Sequence, residues 1–278
     1  MMDFIIDGLI DALKLLPYLF ITFIILELIE HKFSKKSEKV LAKNKKVGPL
    51  VGGILGALPQ CGFSAMATSL FSSKVITIGT LIAVFLSTSD EMLPIMLSEK
   101  VDILLLLKIV GFKVIVGVII GFIVDLIFKR NDEHIHISET CEKEHCTCSE
   151  HGILLSSLKH TLKIGLFILI ANLLINFIIF EVGEDKLESI LLNKNFFTYF
   201  IASLVGLIPN CASSVILTEG YLSGLITVGT LLSGLLTGSG LGILLLFKNN
   251  KNLRENLTIL GIVYFVGVFV GLIVDLVL

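Results

Sequence analysis

The sequence predicts an all-α integral membrane protein of two inverted repeats, each with three spanning helices and one re-entrant helical hairpin. Three observations lead there. Of the 278 residues, 54% are hydrophobic and only 17% charged, with a mean hydropathy of +0.93, well above a soluble domain. The chain aligns with itself at an offset of 150 residues. Equivalent loops of the two copies carry opposite charge.

Four apolar runs fall in each half: residues 4–30, 47–72, 75–98 and 101–128, then 157–180, 196–218, 223–247 and 254–278. Each exceeds the roughly 20 residues that a spanning helix needs. The first run starts in "MMDFIIDGLIDALK", acidic and without a basic residue before Lys14, unlike a cleavable secretory signal, so it is expected to persist.

The duplication is legible without gaps. Pro59 pairs with Pro209, Cys61 with Cys211, Ser64 with Ser214, Thr68 with Thr218 and "ITIGT" with "ITVGT", giving 9 identities in the 22 positions from 59 to 80. At the far end "GVIIGFIVDLIF" matches "GVFVGLIVDLVL". Internal repeats in a membrane protein point to transporter architecture, with a substrate site between the copies near the midplane. The organisation expected is a membrane repeat over 1–128, a cytoplasmic linker over 129–156 and a second repeat over 157–278.

Charge decides orientation. The loop "HKFSKKSEKVLAKNKK" holds seven lysines against one glutamate, whereas its counterpart "EVGEDKLESILLNKN" holds four acids against two lysines. Short basic loops stay in the cytoplasm. The equivalent loops then face opposite sides, each copy crosses an odd number of times, and one of its four runs must fail to cross. Run 47–72 fails best, because Pro59 divides it into arms of about a dozen residues, each about 18 Å long at 1.5 Å per residue and too short for a core of about 30 Å. Residues 47–72 are therefore read as a hairpin with "LPQC" at its tip, and 196–218 as its inverted partner. The chain starts outside and has residues 31–46, the linker and "KNNKNLRE" inside. A plain eight-span arrangement with parallel repeats is the competing topology.

Two tips entering from opposite faces would bring Pro59, Gln60, Cys61 and Ser64 toward Pro209, Asn210, Cys211 and Ser214. For Ser64, Ser214, Thr68 and Thr218 the plainer reading is a hydroxyl bonded back to its own helix. The cysteines form a candidate soft-ligand pair. A second interruption, "FLSTSDEML", sets Ser87, Thr88, Ser89, Asp90 and Glu91 inside an apolar run; its counterpart keeps Thr237 and Ser239 but has Gly240 and Leu241 in place of the acids. Charges at such depth are costly and mark function, with Lys108 and Lys113 as candidate partners; the alternative is that the acids sit in the outer third of the helix, close to Glu99 and Asp102, and reach water. The repeated Gly-x-x-x-Gly of 117–121 and 267–271 reads as close helix packing. Asp125 and Asp275, which follow it, read as capping or interface groups rather than substrate contacts. Asn172 and Asn176 fit an interhelical hydrogen bond better than a path lining.

The linker segment "HIHISETCEKEHCTCSEH" concentrates His134, His136, Cys141, His145, Cys146, Cys148 and His151. These offer more N and S donors than one tetrahedral site needs, in no standard finger spacing, so a flexible metal-capturing segment is expected, with an incidental acidic linker as the alternative.

The "LPQCGFSA" and "IPNCASS" pair, the duplicated core and the His/Cys-rich loop together resemble the ten-helix heavy-metal exporter family, whose members are labelled arsenic efflux or manganese transport proteins. The resemblance covers nearly the whole chain. Counting each hairpin arm as a helix gives the family's ten. It implies a permease exporting an arsenite-type or divalent metal ion such as manganese, located in the cell membrane. No cofactor is expected beyond the ion itself, as substrate and as linker ligand. The expected partners are the lipid bilayer and the ion; a homo-oligomer stays open, and nucleic acid is not expected. There is no H-E-x-x-H and no G-x-x-x-x-G-K-[ST], so neither an intramembrane metalloenzyme nor an ATP-driven pump is expected. The alternatives are a metal-sensing or scaffold protein acting through the linker, and a transporter of a non-metal solute.

Overall fold

The computed structural model describes residues 47–57, 61–89, 92–128, 196–209 and 211–277, with Phe20, Leu162, Leu166 and Ile170 besides. Among them the regular structure is all helical. The first copy contributes α1 (Gly48–Gly56), α2 (Cys61–Ser72), α3 (Ile78–Ser87), α4 (Met92–Ser98) and α5 (Ile103–Ile127). The second contributes α6 (Phe197–Gly206), α7 (Cys211–Leu222), α8 (Val228–Thr237), α9 (Leu241–Asn249) and α10 (Leu253–Val277). The sequence offset of 150 thus carries each helix onto its counterpart to within one residue at either end. Most of runs 4–30 and 157–180, with Asn172 and Asn176, lies outside the described residues, as do both charged loops.

Among the described residues three stretches are long and apolar enough to cross a membrane: Ile103–Ile127, Val228–Asn249 and Leu253–Val277. The runs 75–98 and 223–247 are each interrupted, as the polar stretches within them suggest. The helix stops at Ser87 and resumes at Met92 in the first copy, and stops at Thr237 and resumes at Leu241 in the second, where Gly240 has φ of +52°. That backbone conformation strains any residue with a Cβ.

Direction follows from which residues meet. A Cβ on Gly52 would lie 2.9 Å from Thr80 O and 3.2 Å from Val84 Cγ2, and one on Gly56 would lie 2.6 Å from Val84 O, so α1 and α3 run the same way. The chain between them must return along α2. A Cβ on Gly117 would lie 2.9 Å from Ala83 O and one on Gly121 2.6 Å from Gly79 O, so α5 runs against α3. The path is out, back, out through the break to α4, and back along α5.

The two repeated motifs prove to be two sides of one joint. Thr77 caps α3 by accepting from Thr80 N at 3.1 Å. Asp125, one turn past Gly121, accepts from Thr77 Oγ1 at 2.7 Å and from Gly79 N at 2.8 Å. A carboxylate on the first N–H groups of a helix satisfies orphan donors and suits the dipole. In the second copy Asp275 accepts from Thr227 Oγ1, from Gly229 N at 2.8 Å and from Tyr199 Oη at 2.9 Å. The capping role read from repetition is what the geometry gives. The "ITxGT" start supplies the cap, and the small face of Gly117 and Gly121 lets the backbones close up.

Among the described residues the apolar interior falls into two clusters, each drawn from both copies. One joins Ala67, Phe71, Leu81, Phe85 and Val124 to Leu236, Ile243, Leu246 and Ile259. The other joins Met92, Met96, Leu106 and Ile109 to Ala202, Leu217, Ile226 and Leu231. Along the outer faces of α5 and α10 large apolar side chains are exposed, among them Ile115, Ile119, Leu126, Phe265, Phe269 and Leu276.

Candidate functional site at the helix breaks

In each copy the first helix and the third end at one level. Gly56, the last residue of α1, abuts Val84 and Ser87 at the end of α3; Gly206 likewise abuts Gly234 and Thr237. The break after Ser87 is also where Lys113 of α5 reaches, ten residues into a helix of 25, so about 15 Å from its start and roughly midway along it. Helix ends at that depth leave carbonyls that must bond within protein or face a cavity.

The candidate hydroxyls are buried and spent on backbone carbonyls. Ser87 donates to Ala83 O at 2.8 Å, Thr88 to Val84 O at 2.7 Å and Ser89 to Ser87 O at 3.2 Å. In the second copy Thr237 donates to Gly234 O at 2.8 Å and to Ser203 O at 2.9 Å, and Ser239 to Thr237 O at 3.5 Å. Thr68 and Thr218 bond back to Ser64 O and Ser214 O at 2.8 and 2.7 Å, as a helix-shaping role requires. Ser64 is fully buried, while Ser214 and Pro209 are half-buried.

Between the copies the contacts are reciprocal. Helix α2 packs against α9, and α7 against α4. Thr68 Oγ1 also donates across the interface to Gly242 O at 3.1 Å, and a Cβ on Gly242 would lie 3.1 Å from Ser64 Cβ. Within the second tip Ser213, which aligns with Phe63 and carries no repeat signal, donates to Ile208 O at 3.2 Å.

Of the two lysines named as partners for the acids, only Lys113 is inside. Lys108 is exposed. Lys113 is wholly buried, and its ammonium donates to Thr88 O and, at 2.8 Å, to Leu235 O of the other copy.

Pro59, Gln60, Asp90, Glu91 and Asn210 lie outside the described residues, as do the side chains of Cys61 and Cys211 and the whole linker with His134, His136, Cys141, His145, Cys146, Cys148 and His151. Among the described residues no group of three or more His, Cys, Asp or Glu side chains comes together.

Long apolar helices with outward hydrocarbon faces, and helix breaks set about midway along them, define a multi-pass membrane protein with a buried polar belt. The particular membership comes from residues 1–186, which match the model of the family described as "Putative, 10TM heavy-metal exporter". The chain belongs to that family of the cell membrane. No curated protein matches it, and no solved structure does.

Proposed function

We propose that the chain exports a heavy-metal or metalloid ion, of the arsenite type or a divalent metal such as manganese, through a midplane site between two inverted repeats. The composition of the two cores carries the reading. Phe71 and Val124 stand at one end of the first copy, and they share a cluster with Leu246 and Ile259, which stand at the opposite end of the second. Met96 and Leu106 share theirs with Leu217, Ile226 and Leu231 in the reciprocal way. Parallel copies would put like ends at one level; the observed exchange supports opposed ones. Under this reading 47–72 and 196–218 are re-entrant hairpins from opposite faces, and their tips bring Cys61 and Cys211 to corresponding depths.

The substrate path then comprises the two tips together with the breaks at Ser87–Glu91 and Thr237–Ser239. Thiolates suit a thiophilic ion, and carbonyl and carboxylate oxygens suit manganese. The segments 1–128 and 157–278 act as the membrane repeats, and the linker of 129–156 as an auxiliary cytoplasmic metal-capturing arm. The decisive experiment is intracellular metal content across arsenite, manganese, zinc and cadmium in cells expressing wild type or the Cys61→Ser/Cys211→Ser double variant. Wild type should lower at least one ion, and the double variant should lose export of a thiophilic one. A wild type that changes none of the four defeats the proposal.

A further inference from the structure

The outward face of α10 carries a feature that the packing of the described helices does not use. Gly261 lies inside this 25-residue helix, where glycine is less stable than alanine, yet a Cβ there would meet no described atom within 4 Å. Arg254, Thr258, Gly261 and Phe265 follow the helical spacing and form one stripe. Arg254, Leu257, Thr258 and Phe265 are exposed. The absent side chain leaves a notch in this surface, with Leu257 one turn before it and Phe265 one turn after. The ring of Phe265 stands edge-on to that of Tyr264 at 5.4 Å, and Tyr264 Oη donates to Phe200 O at 3.2 Å, which fixes that end of the notch.

The start of the helix supplies charge. Lys251 and Arg254 are exposed and one turn apart, and among the described residues neither side chain makes a hydrogen bond or ion pair. Lys248, exposed in the last turn of α9, adds a third positive charge beside the same turn. The acid of this segment, Glu255, accepts from Asn250 Nδ2 at 2.8 Å. Asn250 also donates to Asn256 Oδ1 at 2.8 Å, and the buried Asn256 donates back to Asn250 O at 2.9 Å, so the turn that presents the cations is held in place. At 1.5 Å per residue Gly261 lies about 10 Å along the axis from Arg254. Because α10 is long and apolar enough to span, the cations fall at headgroup level and the notch among the acyl chains of the same leaflet.

The first copy repeats the notch but not the pair of cations. A Cβ on Gly111 likewise meets nothing within 4 Å, whereas Val101 and Leu104 stand where Lys251 and Arg254 do, and a single exposed lysine, Lys108, aligns with Thr258. The fold therefore does not demand the two charges. We propose that this face of α10 binds one anionic phospholipid, its phosphate held by Lys251 and Arg254 and one acyl chain lying over Gly261 against Phe265. Ammonium and guanidinium donors match an acceptor-only phosphate, and the guanidinium can take two of its oxygens. Under the inverted reading this end of α10 faces the cytoplasm, the side on which anionic lipids draw basic groups to the membrane. The site is independent of which ion the protein carries.

The test titrates the full chain in detergent with phosphatidylglycerol or phosphatidylcholine of the same acyl chains and counts bound lipid by native mass spectrometry. Wild type should retain one phosphatidylglycerol more tightly than any phosphatidylcholine. A cation near the headgroups is worth roughly fivefold, so Lys251→Gln/Arg254→Gln should weaken that lipid about 20–30-fold and leave phosphatidylcholine unchanged. Gly261→Leu should weaken both lipids while unfolding like wild type in lipid-free detergent, and Lys108→Gln should leave the tightest lipid in place. Should the double variant not fold, wild type decides, because going from about 0.1 to about 1 M salt must erase most of its preference. Inorganic phosphate should not displace the lipid. Equal binding of the two lipids by wild type overturns the proposal, as does a preference that survives the double substitution or high salt. Loss of the lipid with Lys108→Gln, or its displacement by inorganic phosphate, overturns it as well. A Gly261→Leu protein destabilised before any lipid is added shows that another segment of the chain or a second copy fills the notch, and the proposal then fails.

Discussion

Removing the carboxylate at the foot of the long helix should have different costs in the two copies, and the structure sets the difference. Asp125→Ala takes the acceptor from Thr77 Oγ1 and Gly79 N, whereas Asp275→Ala takes it from Thr227 Oγ1, Gly229 N and Tyr199 Oη. Hydrogen bonds to a charged group contribute about 1.5–3 kcal/mol each, and these sites are only partly buried, so the lower figure applies. Two such bonds give about 3 kcal/mol for Asp125→Ala, and a third adds about 1.5 kcal/mol for Asp275→Ala. Tyr199→Phe should remove that increment, because Pro49 stands at the aligned position and offers no hydroxyl. Denaturant unfolding of wild type and these three variants in detergent micelles, completed by the Tyr199→Phe/Asp275→Ala double variant, measures the coupling directly. Equal costs for the two aspartates, or strict additivity of Tyr199→Phe with Asp275→Ala, would refute the account of the joint.

Cysteines placed as Glu38→Cys and Glu188→Cys should react with an impermeant reagent from opposite sides of the membrane; labelling from one side would end the inverted reading. Gly56→Ala should lower stability by about 1–3 kcal/mol in the same unfolding assay, since its Cβ would meet the backbone of Val84, which cannot yield. Gly242→Leu should weaken the contact between copies, because even a Cβ there comes within 2.6 Å of Phe85 Cε1, and transport should fall with it. The linker should bind zinc through several His and Cys donors, as measured by metal titration of the full chain. Its deletion should reduce export without abolishing it; complete loss in a folded, inserted protein contradicts an auxiliary role.

Much of this fold is legible in the sequence because the protein prints it twice. Pro59 and Pro209 mark the interruptions between α1 and α2 and between α6 and α7, and the coincidence of "ITxGT" with Gly-x-x-x-Gly and Asp marks a joint before any contact is known. The break within 75–98 is harder to read. "STSD" in the first copy has no glycine, and hydroxyl residues satisfied by their own helix look the same in a continuous span. The second copy holds the signal, in "TGSG", where Gly240 takes a backbone conformation suited to glycine. Lys113 illustrates the reverse case. Its neighbours in sequence are apolar and nothing local separates it from Lys108, yet one lies at the centre of the protein and the other on its surface. Helical periodicity alone does not choose between them, because α5 is apolar nearly all round.

The exchanged arms also constrain how the protein is made. Helix α2 rests on α9, and the hydrogen bond that joins them, from Thr68 to Gly242, closes a separation of 174 residues. At roughly 5–20 residues per second, that partner arrives on the order of 9–35 s after the threonine has been synthesised. During this interval α2 has its serine and its threonine, but not the surface of α9 that covers them. The first half is therefore an open clasp rather than a finished unit until the second half supplies α9. A chain ended in the linker would leave that clasp open for good, which makes the two copies interdependent in biogenesis although each repeats the other's plan.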